Sequence, residues 1–96
     1  MTRYVLDGFL AKLDEWDASF RPSDELRRAV LVWLLSLAEQ PYQGGLKRAE
    51  GFDNLWYGAV PRTQHGEGFV VVCSLWIFES EKLLRCESFA TLGLPI

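Results

Sequence analysis

Cysteine, histidine and positive charge are scarce in this 96-residue chain, and each scarcity argues against a class of protein. There are two cysteines and one histidine, too few to supply the four nitrogen or sulfur ligands of a structural zinc site. The formal net charge is −3, whereas a domain that binds nucleic acid through phosphate contacts carries a basic excess. The sequence therefore predicts no metal and no cofactor, and it disfavours RNA as a partner.

Long apolar runs are missing as well. The longest run, Ala29 to Leu35, is far shorter than the roughly 18 apolar residues that a membrane-spanning helix needs, and Asp7 lies where a signal peptide requires its apolar segment. We expect a cytoplasmic protein without membrane contact, in which Cys73 and Cys86 stay reduced and buried. Hydrophobic residues make up 49% and charged residues 24%, as in globular proteins, so a single domain over residues 1–96 is expected.

Apolar periodicity predicts two helices in the first half of the chain. Residues 2–6 are β-prone and predict a short first strand. From Phe9 the apolar residues recur at helical spacing until Pro22 interrupts the pattern. The second helix follows the N-cap residue Ser23 and runs to Glu39, with acidic residues in its first turn that complement the helix dipole. Its apolar arc is wide enough to predict a largely buried helix, because three residues extend it beyond the core stripe. These residues are Leu31, Val32 and Leu35.

The second half of the chain predicts three antiparallel strands, at about Asn54–Val60, Phe69–Phe78 and Leu83–Phe89. The last two form a hairpin whose turn is residues 79–82. The expected fold class is α+β, with a short N-terminal strand and two helices packed on one face of a mostly antiparallel sheet of three to four strands. Nine residues are predicted to form the core: Leu13, Trp16, Val30, Trp33, Leu34, Leu37, Val71, Cys73 and Leu75.

Both faces of the strand at residues 69–78 are apolar, so something must cover each of them. The helices cover one face. The other face carries Val72, Trp76 and Phe78, and its cover is the C-terminal tail (residues 91–96), the first helix, a second copy of the chain or a different protein. Because aromatic side chains supply much of the energy at interfaces, we predict that these three residues bind a partner.

A polar, glycine-bearing loop at residues 62–68 contains the candidate catalytic residues. One interpretation is a solvated loop. The other assigns His65 as an acid or base near neutral pH, with Arg62 holding a phosphate. Arg85 is the third candidate catalytic residue. Lys47 and Arg48 follow a Gly-Gly turn that lacks the spacing of a Walker loop, and they are the candidate nucleic-acid contacts.

The order of elements resembles the RelE and ParE toxin superfamily over nearly the whole chain. The local likenesses are a long second helix that ends on Pro41, a Gly-Gly-Leu-Lys step at residues 44–47, an Asn-Leu-Trp strand entry at residues 54–56 and the apolar strand that begins at Phe69. The resemblance implies a small toxin that a partner antitoxin neutralises. It also implies one of two actions, cleavage of messenger RNA on the ribosome or action against DNA gyrase.

The same resemblance implies that the basic residues line the concave side of the sheet. These residues are Lys47, Arg48, Arg62 and Arg85, together with His65. Two positions where the ribonucleases of the superfamily tend to carry arginine are occupied differently, by residues 57–59 (Tyr-Gly-Ala) and residues 68–69 (Gly-Phe).

Two functional hypotheses follow. The first is the toxin component of a toxin–antitoxin pair with a RelE/ParE-like fold, whose partner is its cognate antitoxin. The alternative is a non-catalytic interaction module that binds another protein, or a second copy of itself, through the apolar sheet face.

Overall fold

The computed structural model describes residues 3–43 and 45–93. Its elements are, in order, β1 (Val5–Asp7), α1 (Phe9–Phe20), α2 (Asp24–Glu39), β2 (Lys47–Arg48), β3 (Leu55–Ala59), β4 (Phe69–Phe78) and β5 (Leu83–Gly93). The fold is α+β, as predicted, but the sheet has five strands in the order β1-β5-β4-β3-β2 rather than three or four. β1 runs parallel to β5, and the other neighbouring strands are antiparallel.

Local chemistry fixes the ends of both helices. At the start of α2 the Ser23 hydroxyl accepts a hydrogen bond from the Leu26 backbone N–H at 3.2 Å, the usual role of an N-cap serine. The helix ends at Glu39, shortly before Pro41, as predicted. α1 ends at Phe20, where Arg21 adopts a left-handed conformation with φ of 55°.

An ion pair joins the two helices near the turn between them. The Arg27 guanidinium donates from Nε and Nη2 to the two carboxylate oxygens of Asp17, both at 2.8 Å, and from Nη1 to Asp24 at 2.8 Å. The hydrogen bonds from Arg27 lower the pKa of Asp17. This bidentate contact fixes how α1 approaches α2.

The core lies between the two helices and one face of the sheet. All nine residues predicted for it are buried. Five of them have no exposed surface at all: Val30, Leu37, Val71, Cys73 and Leu75. The helical stripe and the alternation along β4 therefore meet in one apolar cluster.

The outer side of α2 is exposed, so the prediction of a largely buried helix was wrong. Val32 is 57% exposed and Leu35 is 73% exposed. Leu31 and Leu35, with Leu10 of α1, border an apolar groove of about 590 Å³. The sheet contacts only one side of α2, and the described part of the chain contains no second layer above it. Neither helix is long and apolar enough to cross a membrane.

β5 is longer than predicted, and this corrects the role expected of the tail. The strand continues past Phe89 to Gly93, so that Thr91 pairs with Val71 and Gly93 pairs with Phe69. Residues 91–93 therefore extend the sheet instead of folding over it. The last three residues of the predicted tail lie outside the described residues. The other internal cover considered, α1, packs on the opposite face, where Trp16 contacts Phe89.

Two short strands form the edges of the sheet. β1 lies slightly later in the chain than the predicted residues 2–6, the first of which lies outside the described residues, and it pairs Leu6 with Leu84. β2 was not predicted, since two residues carry no alternation to detect. In β2, Lys47 pairs with Tyr57 of β3 and Arg48 pairs with Trp56.

Candidate functional site on the open face of the sheet

The sheet face turned away from the helices, called here the open face, carries the three residues predicted to bind a partner. Val72, Trp76 and Phe78 alternate along β4 with the buried core residues, so they share one side of the strand. Each is partly exposed. Neither helix covers them, because α1 and α2 pack against the opposite face.

Three aromatic residues, Phe52, Trp76 and Phe78, form a cluster on this face. The Phe52 ring meets Trp76 edge-on at a centroid distance of 5.8 Å, and the Phe78 ring lies nearly parallel to Trp76 at 6.5 Å. The Trp76 indole N–H donates to Glu87 Oε2 at 2.9 Å. Phe52 is 51% exposed. An aromatic surface whose polar tip is already satisfied is suited to anchor a protein interface.

Arg85 lies on the open face beside this aromatic cluster. It pairs with Trp76 across the β4–β5 ladder, and its guanidinium carbon lies 5.6 Å from the centre of the Phe78 ring. Its Nε donates to Asp7 Oδ2 at 2.9 Å. The negative charge of Asp7 partly neutralises the Arg85 guanidinium, which weakens the attraction that a catalytic role on a phosphate would need.

A row of polar side chains crosses the open face next to the aromatic cluster. Lys47 pairs with Tyr57, Tyr57 pairs with Ser74, and Ser74 pairs with Ser88. Cross-strand partners point to the same side of a sheet, so these four side chains line up across four strands. Arg48, next to Lys47 in the sequence, points to the other side. The pair predicted to contact nucleic acid is therefore divided between the two faces.

A shallow depression of about 330 Å³ lies at one end of this row. Lys47 and Tyr57 are polar residues of its lining, and Val72 and Leu92 are apolar ones. The residues that line it are Gly45, Lys47, Tyr57, Gly58, Ala59, Val72 and Leu92. Such a surface can receive an apolar side chain that has a polar end.

His65 lies away from the open face, in the loop between β3 and β4. Its Nδ1 donates to the Thr63 carbonyl oxygen at 2.7 Å. The imidazole centroid is 5.6 Å from that of the Phe20 ring and 5.9 Å from that of the Phe69 ring. Its Nε2 is buried and has no hydrogen-bond partner among the described residues. A general base must reach its substrate, and in this conformation the free nitrogen is enclosed.

The three residues predicted to be catalytic lie in three separate places. Arg85 lies opposite Trp76 on the open face, while His65 bridges to Phe69 at the far end of β4. At roughly 3.3 Å per residue, these two positions are about 23 Å apart along the strand. Arg62 faces α2 instead of the open face. The structure therefore does not bring these side chains to one reacting centre.

The two cysteines lie in the core, behind the open face. Both are free and buried. The hydrogen bond with Cys86, together with burial, raises the pKa of the Cys73 thiol. Because the thiolate is the reactive form of cysteine, neither the position nor the protonation state of Cys73 suits a nucleophile.

We expect Cys73 and Cys86 to resist iodoacetamide in the folded protein and to react fully after unfolding in guanidinium. Mass spectrometry of alkylated protein purified without reductant measures this. The variant Ser80→Cys, in the exposed turn between β4 and β5, is the positive control, since its new thiol should react at once. A disulfide in most wild-type molecules would contradict the prediction.

Sequence reasoning missed two contributors to the open face, Phe52 and Tyr57. Tyr57 was detectable in principle, because alternation along β3 places it on the same side as Leu55, which pairs with Trp76. Phe52 lies in the connection before β3, where no periodicity reports which way a side chain points.

No family model matches the chain, and no curated protein matches it in sequence. Two solved structures match it in fold. A double arginine-to-alanine mutant of the E. coli toxin RelE in the free state has a TM-score of 0.63 and 13% sequence identity, covering 93% of this chain and 83% of that one. The isolated E. coli RelE toxin has a TM-score of 0.66 and 14% sequence identity, and the match covers 96% of this chain and 87% of that toxin. The chain therefore has a RelE-like α+β fold, as the resemblance in its sequence predicted.

Proposed function

We propose that this protein is the toxin of a toxin–antitoxin pair and that it acts by binding a protein target through its open face. The RelE-like fold, which extends over 93–96% of the chain, supports the toxin assignment. The observation that carries the mode of action is the partly exposed aromatic cluster on the face that the helices leave open. Exposed apolar patches of this kind mark interaction sites in soluble proteins.

Binding fits this surface better than cleavage of messenger RNA. Cleavage of a phosphodiester needs an acid, a base and a cationic group within hydrogen-bond reach of one phosphate. His65 and Arg85 are about 23 Å apart along β4, and Arg85 is already paired with Asp7. The net charge of −3 also disfavours a polyanionic substrate. A protein target, as for the gyrase-directed members of the superfamily, agrees with all three observations.

The same surface explains how a partner would neutralise the protein. An antitoxin segment that buries Trp76 and Phe78 would occupy the surface needed by the target and would remove the apolar patch from water. Antitoxin and target would then compete for one site, and binding of the first would exclude the second.

Growth arrest after induction tests the toxin assignment. We expect the wild-type chain to arrest growth of a bacterial host and Trp76→Ala to relieve the arrest. Leu35→Ala, at an exposed apolar position on α2, should leave the arrest intact, which controls for surface truncation. A wild type that leaves growth unaffected would contradict the toxin assignment. Arrest accompanied by cleavage of translated messenger RNA would contradict a mode of action based on binding.

The second candidate, a non-catalytic interaction module, rests on the same aromatic cluster without requiring toxicity. In either case Trp76→Ala should weaken association through the open face by about 2 kcal/mol, roughly 30-fold. Sedimentation equilibrium over a concentration series measures self-association, and circular dichroism checks that the variant is folded. A wild type that remains monomeric and binds no partner, with Trp76 shielded from collisional quenchers, would leave the module hypothesis without support.

A further inference from the structure

A second groove lies on the other side of the molecule, between α2 and the turn that follows β3. Its volume is about 440 Å³. Val32 of α2, which is 57% exposed, supplies most of the apolar surface on one side, because its neighbour Trp33 is only 4% exposed. Pro61 supplies apolar surface on the other side. Arg28 and Arg62 also line the groove, and Glu25 is the one carboxylate among the described residues that line it. The proposed toxin action uses none of these residues.

Hydrogen bonds hold the α2 side of the groove in place. The Trp33 indole N–H donates to Gln43 Oε1 at 3.0 Å, and Gln43 Nε2 donates to Ser36 Oγ at 3.0 Å. The Ser36 hydroxyl in turn donates to the Trp33 carbonyl oxygen at 2.7 Å. This closed ring of contacts fixes the orientation of the indole that forms part of the groove.

The opposite side is held by a buried threonine. Thr63 has no exposed surface. Its hydroxyl donates to the Val60 carbonyl oxygen at 2.7 Å and accepts from the Val71 backbone N–H at 3.1 Å. The intervening residues, Pro61 and Arg62, are therefore tied to the end of β4 at the position where they face α2. Both sides are formed before any ligand arrives, which lowers the entropy lost on binding.

The two arginines at this groove have no partner within the described part of the chain. Neither Arg28 nor Arg62 donates a hydrogen bond or forms an ion pair among residues 3–43 and 45–93. The contrast with Arg27 is direct, since the neighbouring guanidinium is engaged by Asp17 and Asp24. Two free guanidinium groups against one carboxylate leave the groove with an excess of positive charge in a protein whose net charge is negative.

We propose that this groove binds an acidic peptide segment of a partner protein, with apolar side chains between its carboxylates. The exposed apolar surface of Val32 and Pro61, with the small exposed part of Trp33, receives the apolar side chains. The guanidinium groups of Arg28 and Arg62 pair with the carboxylates, to which arginine binds in a bidentate geometry. Nucleic acid fits less well, because its backbone is charged throughout while this groove is mostly apolar and carries Glu25.

Titration of the full chain with a defined peptide tests the proposal. The probe is acetyl-Glu-Leu-Leu-Glu-amide, followed by the NMR signal of the Trp33 indole N–H, which reports on the groove directly. We expect a saturable shift that weakens at high salt, since exposed charges are screened. Two comparison peptides separate the contributions of charge and apolar surface. Acetyl-Lys-Leu-Leu-Lys-amide and acetyl-Glu-Gly-Gly-Glu-amide should each bind at least tenfold more weakly.

A pair of variants with matched charge locates the site. The double variant Arg28→Gln, Arg62→Asn should weaken peptide binding at least tenfold. Asparagine is chosen at position 62 because it tolerates the left-handed φ of 63° there. The control variant combines Arg3→Gln with Lys82→Asn, which removes the same amount of charge away from the groove. Lys82, like Arg62, has a left-handed φ, of 51°. We expect this control variant to bind the peptide as tightly as the wild type does.

Three results would overturn the proposal: no saturable shift of the Trp33 signal at millimolar peptide, equal weakening by both double variants, or tighter binding of a tetranucleotide than of the peptide in this groove. The groove and the open face lie on different sides of the molecule. Loss of growth arrest on Trp76→Ala and loss of peptide binding on the Arg28/Arg62 change are therefore separate results, and either proposal can fail alone.

Discussion

Replacing Leu37 by alanine is expected to lower the free energy of unfolding by about 2–5 kcal/mol. Leu37 has no exposed surface and lies in the core cluster between the two helices and the sheet. Truncation to alanine removes buried apolar atoms and leaves a cavity, because the surrounding helix and sheet can relax only partly. Urea denaturation followed by circular dichroism measures the change, provided that the slope of the transition is unchanged.

Leu35→Ala is the matched control, since it makes the same chemical change two positions earlier in the same helix. Leu35 is 73% exposed, so its truncation should change stability by about 0.5 kcal/mol or less. The difference between the two variants isolates the contribution of burial from that of helix propensity. Equal effects would show that the core stripe of α2 has been assigned to the wrong side.

Replacing Gly58 by alanine is expected to destabilise the protein by about 1–3 kcal/mol, the usual effect of adding a methyl group where no space exists. A Cβ at this position would collide with the backbone carbonyl of Gly45 and crowd the Cα of Leu46. Backbone atoms cannot rotate away as the end of a flexible side chain can, so the segment that leads into β2 would have to move away from β3. Thermal unfolding and amide hydrogen exchange at Lys47, which pairs with Tyr57, measure the two consequences.

Gly93→Ala provides the comparison for this change, because a Cβ there would meet the Phe69 ring at 3.6 Å, an ordinary van der Waals contact. Both glycines lie in strands of the same sheet and neither has a positive φ. We expect Gly93→Ala to be neutral or slightly stabilising, since alanine reduces the entropy of the unfolded chain. A loss of stability as large as that of Gly58→Ala would show that collision with the backbone of Gly45 is not the cause of the effect at position 58.

The polar loop between β3 and β4 shows where prediction from sequence ended. Arg62 and His65 were predicted to be catalytic because one can bind a phosphate, the other can act as an acid or base, and they lie close together in the chain. In the structure Arg62 turns toward α2, while His65 is enclosed by Phe20 and Phe69. Nearness in a loop does not fix the direction of a side chain, because a residue with left-handed φ, such as Arg62 at 63°, turns the backbone away from the course that the neighbouring strand would give it.

The exposed apolar residues of α2 show that burial, like side-chain direction, could be predicted from the sequence only in part. Periodicity identified the stripe that contains Val30, Leu34 and Leu37, and all three are buried. It could not tell that Leu31 and Leu35 stay at the surface, since exposure depends on how many neighbouring elements pack against a helix. Among residues 3–43 and 45–93, one helix and one sheet face pack against α2.

By itself the sequence determined the two helices, the β4–β5 hairpin and the core stripe. Each follows from patterns with a period of two or 3.6 residues and from local caps and turns. The RelE-like architecture was predicted from a resemblance in the order of these elements. Only the tertiary structure decided which functional side chains meet. Strand register aligned Lys47, Tyr57, Ser74 and Ser88 across four strands, and it separated Lys47 from Arg48 and Arg85 from His65. The physical reason is that register depends on contacts between distant parts of the chain, and a shift of one residue moves every side chain of a strand to the other face.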